Sequence, residues 1–484
     1  MKSAKNGSRR LDPNGWMRKR FPAVFPTKHD DCFIIRKTKT AGFLSAFKAA
    51  QCLSPLGSPE APVCFAAEAG TFYGYSPEEG IYQRLDEAQV RNRVYTLLEE
   101  CVQGVRRTDA WTVRSAQKEH EAKAVTGALR GLGHFADPAR NRNLRYVHVE
   151  NGVLDLHTLD LLPFSPDRPS AWKLPVPWER RPPEPHRFWG MMRRLFPDRD
   201  DRALAVEVLS SAFLGNPFQR FVVISGAAGA GKSTIVHLLS QLLGPGASGE
   251  FRFEQVRDKF SGSSWMGRLL LHESEVDQKV LDRALRALKA VSGQDPMTAE
   301  KKHDPDLTPF TPRALPVLVT NDDVRFNSTS SHRAVARRLV AFDVPEPTTS
   351  FTEVPGFAKQ LVQTEGPGIL RVFLTEAHRL RQQGCLRPFT AHQKARHAMY
   401  LGTSEVLQFW AEVHVASEGG ASILRDEAIA AAECWLAQHK LPAPTSITGW
   451  SRQFKPIFEA LGGTWTKSLG SKGDLKGWRQ VKLV

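Results

Sequence analysis

The chain has 484 residues, and its 66 lysines and arginines against 51 aspartates and glutamates give a net charge of +15. This excess favours a polyanionic partner, of which nucleic acid is the commonest. No apolar run approaches the roughly 20 residues that span a bilayer, which argues against a membrane partner. Six cysteines without a C-x-x-C pair or a histidine at zinc spacing indicate a soluble, intracellular protein without disulfides or structural zinc.

The first part of the chain divides into a basic segment and a mixed domain. Residues 1–60 are basic and poorly periodic, so they form either a solvated arm or a phosphate-binding arm. Residues 61–200 predict an α+β domain, because short strand patterns, a helix over 87–102 and a hairpin turning at Asn151-Gly152 follow one another. The proline-rich segment 175–186 predicts a linker.

A glycine-rich stretch then stands between two apolar runs, in the sequence FVVISGAAGAGKSTIVHLL. It satisfies G-x-x-x-x-G-K-[ST], the pattern of a loop whose backbone N–H groups cradle phosphates at a helix N-terminus. We expect the lysine to reach the β- and γ-phosphates of ATP and the serine hydroxyl to bind Mg²⁺. The expected nucleotide-binding residues are Gly226, Ala227, Ala228, Gly229, Ala230, Gly231, Lys232, Ser233 and Thr234.

Further catalytic candidates lie at the ends of later strands, where α/β sheets place their ligands. Glu273 ends the apolar run RLLLHE and is our preferred metal-linked and water-activating carboxylate, with Glu275 as the alternative. Asn321 ends PVLVTN and can orient the attacking water or sense the γ-phosphate. Arg337 and Arg338 precede the next strand, and one of them can act as an arginine finger.

The order of these motifs resembles the superfamily 3 DNA helicases, specifically the helicase part of phage, plasmid and poxvirus primase-helicases. Residues 201–385 are similar to the ATPase domain of that family through GAAGAGKS, LLLHESE, VSGQDPMTAEKKHDP and the TND and RRLVAF pair. The resemblance implies a P-loop NTPase core, AAA+-like and built on a parallel sheet. It also implies ATP, Mg²⁺, a ring that is usually a hexamer, and 3′-to-5′ movement on one DNA strand.

The family resemblance assigns two further groups of residues. The segment VSGQDPMTAEKKHDP corresponds to a hairpin that grips DNA phosphates in a central channel, with Lys301, Lys302 and His303 at its tip. Arg338, or less favourably Arg337, is implied to act on ATP bound by the neighbouring subunit. The basic segment that precedes the resemblance is only about 70 residues long, so we predict no primer synthesis. A separate primase or replication protein is therefore an implied partner.

Residues 386–484 are similar to the family's C-terminal winged-helix module. Its aromatic residues are interleaved with basic ones, which suits DNA binding, but the aromatics can equally form the core of a small module. The residues concerned are Trp450, Phe454, Trp465 and Trp478, with Lys467, Lys472, Lys476, Arg479 and Lys482.

Three functions remain open on the sequence. The first is an ATP-driven, ring-forming DNA helicase for replication of a phage, plasmid or integrated mobile element. The second is an ATP-regulated origin-binding protein that assembles on DNA without unwinding it. The third is a P-loop ATPase that acts on a protein partner. A motor on DNA needs both the hairpin cations and the arginine pair, whereas an assembly switch needs only the arginine.

Overall fold

The computed structural model describes the following parts of the chain, and every structural statement below concerns them: residues 13–26, 33–35, 41–43, 45–54, 58, 60–103, 115–132, 135–140, 144–250, 264–301, 304–322, 326, 332–346, 354–401, 403–438, 443–444, 446–469 and 475–484. The chain forms two compact units, Met1–Trp178 and Glu179–Val484. The division falls inside the proline-rich segment 175–186. Across the described residues, no helix combines the length and the apolar character needed to span a membrane.

The first unit combines helices with three small antiparallel sheets, of strand order β1-β2, β3-β4-β5 and β6-β7-β8. Its helices are α1 (Pro13–Arg20), α2 (Ala46–Leu53), α3 (Glu87–Gln103) and α4 (Ser115–Arg130). Its strands are β1 (Phe33–Ile35), β2 (Ala41–Phe43), β3 (Val63–Ala66), β4 (Thr71–Ser76), β5 (Ile81–Leu85), β6 (Tyr146–Val149), β7 (Gly152–Asp155) and β8 (Asp160–Leu162). Short 3-10 helices cover Ala67–Ala69 and Pro138–Arg140.

Helix α3 lies where its apolar periodicity predicts it, with Val90, Val94 and Leu98 fully buried. The sequence analysis did not predict α4, which lies within a stretch of mostly polar and charged residues. The core-facing residues of α4 include Ala122 and Val125, which are small or β-branched and are surrounded by charged residues. This apolar stripe is too narrow to predict a helix from the sequence. Only the structure shows that it packs against α3.

The second unit carries a five-stranded, fully parallel sheet of order β10-β11-β14-β9-β15. Its helices are α5 (His186–Leu195), α6 (Arg199–Ser210), α7 (Lys232–Ala247), α8 (Gln278–Gly293), α9 (His332–Arg338), α10 (Phe357–Gln383), α11 (Ala391–Leu401), α12 (Thr403–His414), α13 (Arg425–Gln438) and α14 (Ile447–Ala460). Its strands are β9 (Phe221–Gly226), β10 (Ser248–Glu250), β11 (Leu270–Glu273), β12 (Met297–Lys301), β13 (Asp304–Phe310), β14 (Leu315–Val319), β15 (Leu339–Val344), β16 (Val415–Leu424), β17 (Thr464–Leu469) and β18 (Leu475–Leu483). A 3-10 helix covers Ser211–Leu214.

The sheet is parallel because its central strands are continuous apolar runs buried on both faces. The first four residues of β9 and all five of β14 are buried. Phe221 and Val223 of β9 face a core shared with Leu281 and Leu288 of α8. The predicted mixed α/β architecture with a parallel sheet is therefore confirmed. Since the chain adds β10, β11 and β14 on one side of β9 and then β15 on the other, the strand order reverses at β9, which is where such sheets bind ligands.

The end of the chain forms a smaller module in the order α12, β16, α13, α14, β17, β18, with an antiparallel sheet of order β16-β18-β17. The module ends with α14 and the antiparallel hairpin of β17 and β18. Trp450, Phe454 and Trp478 are at most 2% exposed, and the Trp478 ring stacks on Phe458 with centroids 4.4 Å apart. These aromatics therefore form the core of the module. Of the two roles that the sequence left open for them, DNA contact and core packing, the structure shows core packing. Lys472 lies outside the described residues.

Candidate nucleotide-binding site

The glycine-rich loop leaves the sheet at the carboxyl end of β9. Gly226 pairs with Val344 of β15 and has φ of 136°, and a Cβ there would lie 2.2 Å from the Val344 carbonyl oxygen. Gly229 and Gly231 have φ of 74° and 90°, conformations that favour glycine. The glycines at these positions are therefore required by backbone geometry.

Helix α7 begins directly after this loop. Gly231 is its N-cap residue, and no side chain caps the helix there. The first N–H groups of a helix have no intrahelical acceptor, and the helix dipole makes this end positive. Ser233 and Thr234 are in the first turn and line the cavity described below. Loop and helix together can bind an anion such as a phosphate.

Lys232 is directed into the loop. Its Nζ donates to the carbonyl oxygens of Gly226 (2.7 Å) and Ala227 (2.6 Å) and to Oδ1 of Asn321 (2.8 Å). Burial lowers the pKa of the Lys232 ammonium, and the side chain is only 3% exposed. The three acceptors compensate for the lost hydration, so a bound phosphate would have to replace them. The structure thus joins two residues predicted separately, the loop lysine and the strand-end asparagine.

A cavity of about 530 Å³ opens beside the loop, a size typical of small-molecule sites. Its lining combines polar side chains, among them Lys232, Ser233 and Asn321, with apolar ones. The lining residues are Met191, Arg194, Leu195, Ala228, Gly229, Gly231, Lys232, Ser233, Thr234, His237, Glu275, Val319, Asn321, Val354, Pro355, Gly356, Phe357 and Ala358. A lining of both polar and apolar side chains suits a nucleotide, which has charged phosphates and a largely apolar base.

The two candidate carboxylates differ in position. Glu275 lines the cavity and has φ of 63°, a left-handed conformation that is uncommon for a residue with a side chain. Glu273 is the last residue of β11, paired with Leu318, and it is not among the described residues that line the cavity. The sequence pattern favoured Glu273, whereas the cavity lining favours Glu275.

Helix α9 ends with Arg337 and Arg338 at the amino end of the parallel strands, whereas the cavity lies at their carboxyl end. Leu339 pairs with Phe221 at the start of β9, whereas the loop leaves from its end, about 17 Å away at 3.3 Å per residue. Arg338 Nη1 donates to the Ala334 carbonyl (3.2 Å), and burial and the Arg337 charge lower the pKa of Arg338, opposed by Asp295. The described geometry does not bring either arginine to the cavity of its own chain.

The segment predicted to grip DNA forms an antiparallel hairpin of β12 and β13. Lys301 pairs with Asp304, so residues 302–303 connect the two strands. Lys302 and His303 lie outside the described residues, and only the backbone of Lys301 is described. The hairpin is present at the predicted place, and the role of its tip stays a prediction.

Sequence reasoning missed several residues that line the cavity. His237 was detectable, because it follows Ser233 by four residues and shares its face of α7. Arg194 on α5 and the segment 354–358 belong to no motif and are distant in sequence from the loop. Only the tertiary structure brings them to the site.

The chain was compared with known proteins. A family of unknown function, DUF5906, matches residues 224–338, from the end of β9 to the end of α9. No curated protein matches the sequence. Among solved structures, an apo structure of the C-terminal region of NrS-1 (305–718) has 11% identity and a TM-score of 0.48, covering 87% of this chain and 96% of that one. A second form of that region has 10% identity and a TM-score of 0.43, covering 87% and 97%. At these TM-scores the similarity supports no argument about function.

Proposed function

We propose that this chain is an ATP-dependent DNA helicase that works as a ring and hydrolyses ATP in the cavity beside the glycine-rich loop. The observation that carries the proposal is the hydrogen bond from Lys232 Nζ to Asn321 Oδ1, 2.8 Å long, between two residues that line that cavity. Two motifs 89 residues apart in sequence converge where an ATPase needs a phosphate-binding cation and a water-orienting amide. A mere glycine-rich turn would not require this convergence.

The roles of the site residues follow from this arrangement. Backbone N–H groups of the loop and Lys232 would hold the phosphates, and the Ser233 hydroxyl with a carboxylate would hold Mg²⁺, which prefers oxygen ligands. We assign the water-activating carboxylate to Glu275, because it lines the cavity, and keep Glu273 as the alternative. The apolar lining residues, among them Met191 and Phe357, would contact the base.

The position of the arginine pair supports the ring. Since Arg337 and Arg338 lie at the sheet edge opposite the cavity, they can reach a phosphate only in a second copy of the chain, arranged head to tail. The β12–β13 hairpin would then present Lys301, Lys302 and His303 to a single DNA strand. Together these features describe a motor that couples hydrolysis to movement on DNA.

The deciding experiment is unwinding of a forked duplex with ATP and Mg²⁺, on 3′-tailed and 5′-tailed substrates. We expect separation of the 3′-tailed fork alone, and its loss in Lys232→Ala. Lys279→Ala is a suitable control, because Lys279 is an exposed lysine on α8 that does not line the cavity. Absence of ATP binding by the wild-type chain would refute the proposal.

A second candidate function, ATP-regulated assembly on DNA without unwinding, is favoured by the C-terminal module. Its order of helices and strands is that expected of a winged-helix module, and α14 exposes Arg452 and Lys455. With the aromatics buried, DNA would meet this cationic surface rather than aromatic side chains. ATP hydrolysis with duplex binding but no strand separation on either fork would favour this function.

A further inference from the structure

The hydroxyl of Tyr400 on α11 contacts both β9, the strand that leads into the glycine-rich loop, and its neighbour β15. It is 2.6 Å from Ser225 Oγ on β9 and 2.8 Å from Asp343 Oδ1 on β15. The Ser225 hydroxyl is also within hydrogen-bonding distance of that carboxylate oxygen. The hydroxyls of Tyr400 and Ser225 supply only two protons for these three contacts. The three side chains can therefore adopt more than one hydrogen-bonding arrangement.

The register makes this position special. Ser225 pairs with Asp343, and the next pair is Gly226 with Val344, where the glycine-rich loop begins. The Tyr400 carbonyl oxygen also accepts from the backbone N–H of Phe326 (2.7 Å), five residues after Asn321. One residue of α11 thereby touches the strand before the loop, its neighbouring strand and the segment that follows the asparagine.

Tyr400 is itself held in place. Its side chain is 6% exposed within the sheet core, and burial together with Asp343 raises its pKa well above the usual value, so it stays a protonated donor. One turn earlier, Arg396 Nη2 donates to Asp201 Oδ2 of α6 (2.6 Å), and its Nε lies 3.4 Å from Asp343 Oδ2. Arg396 and Asp201 are both buried, and their pair joins α11 to α6, while the contact of Arg396 with Asp343 joins α11 to β15.

We propose that Tyr400 is a positioning residue of the nucleotide site: through Ser225 and Asp343 it holds the first residue of the glycine-rich loop in the conformation that binds phosphate. The inference rests on the proposed function, since the site it positions is the ATP site. Tyr400 is not among the residues that line the cavity, so it acts on the nucleotide only through the loop. Because α11 is followed after one residue by α12, the same contact joins the loop to the C-terminal module.

The test is Tyr400→Phe, which keeps the ring in the core and removes the hydroxyl. We expect the Kd for MgATP to rise by roughly threefold to tenfold, the factor that one net hydrogen bond is worth, with kcat little changed. Tyr82→Phe is the matched control, because Tyr82 is also buried and its hydroxyl donates to a carbonyl, that of Pro166, in the first unit. A purely structural loss would lower the melting temperature in both variants and leave the Kd unchanged.

Two further measurements separate this inference from the proposed function. Hydrogen exchange of the amides of residues 226–232, without nucleotide, should be faster in Tyr400→Phe than in the wild type. Ser225→Ala should raise the Kd similarly, and the double variant should add little to either single one. Unchanged loop exchange overturns the positioning role whether or not ATP binds. Wild-type protein that binds no ATP overturns the proposed function instead.

Discussion

At the scale of single residues, the two glutamates after β11 show how a backbone conformation selects between neighbours. A strand alternates its side chains between two faces, so residues 273 and 275 would share a face if the strand continued. The strand ends at Glu273, and the left-handed conformation of Glu275 redirects the chain at the cavity. Positive φ at a residue with a side chain often marks a functional position.

This geometry gives the first prediction, on Glu275. Glu275→Gln should lower kcat for ATP hydrolysis by about 100-fold or more, the usual loss of a general base, while ATP binding is retained. Glu273→Gln is the matched comparison, because it makes the same change two residues earlier. Steady-state hydrolysis and nucleotide binding should be measured on both. A larger loss of kcat in Glu273→Gln would return the assignment to the end of β11.

The second prediction concerns His397, which is buried on α11. Its pKa is lowered from the usual 6.5 to about 3, chiefly by burial and additionally by the charges of Arg396 and Arg220, with Asp201 opposing them. Below pH 6.5 the unfolded chain therefore binds a proton that the folded chain does not. The stability associated with the neutral imidazole is complete above pH 6.5 and is lost as the pH falls toward 3, by about 1.4 kcal/mol per pH unit.

The unfolding free energy, measured by urea titration between pH 7 and pH 5, should fall less steeply in His397→Gln than in the wild type. His120→Gln is the control, because His120 is exposed on α4 of the other unit and should leave the slope unchanged. Equal slopes in the wild type and His397→Gln would show that this histidine is not the titrating group.

At the scale of elements, the β12–β13 hairpin was predicted from a charged stretch whose strands are not strongly apolar. Strand β13 contains two prolines, which the interior of a larger sheet would not tolerate, and a two-stranded hairpin avoids that conflict. The base of the hairpin packs in the core of the second unit through Phe310 and Met297, and the Lys301–Asp304 pair lies at its other end. That suits contact with a polyanion.

The third prediction follows for this hairpin. Lys302→Ala should leave basal ATP hydrolysis within about twofold of the wild type and abolish its stimulation by single-stranded DNA. The reason is that the lost ammonium group would contact the phosphates of DNA and not those of ATP. Lys279→Ala on α8 should behave as the wild type in the same assay. Stimulation that survives in both Lys301→Ala and Lys302→Ala would exclude the hairpin as the DNA contact.

At the scale of the whole molecule, the cavity lies at the carboxyl ends of the parallel strands and the arginine pair lies at their amino ends. A single chain therefore carries two halves of the proposed catalytic site facing away from each other. Head-to-tail contact of identical chains can join such halves, and it closes into a ring when the rotation permits. In the proposed ring, cooperation between copies would then follow from the direction of the strands.

The fourth prediction tests this arrangement. Arg338→Ala should bind ATP normally yet lose hydrolysis by about 1,000-fold, the range reported for arginine fingers. Mixing Arg338→Ala with Lys232→Ala should restore part of the activity, because an intact cavity and an intact arginine can meet at some of the interfaces. No recovery at any mixing ratio would exclude action across the interface. Arg337→Ala serves as the neighbouring comparison.

The sequence by itself determined the features that depend on local chemistry. The glycines of the loop, Lys232 and Ser233 are close in sequence, and the apolar runs of β9, β11 and β14 each predicted a strand with a polar residue at its end. Backbone sterics and side-chain periodicity act over a few residues, so these features could be predicted without knowledge of the tertiary structure. The parallel sheet followed from the alternation of such runs with helices.

Only the tertiary structure decided the features that depend on residues distant in sequence. It placed Tyr400 against Ser225, brought Glu275 rather than Glu273 to the cavity, buried Trp450 and Trp478 as core, and set Arg338 at the far edge of the sheet. The amino-acid pattern does not encode such pairings, because they arise from the packing of elements whose relative positions the local sequence leaves open.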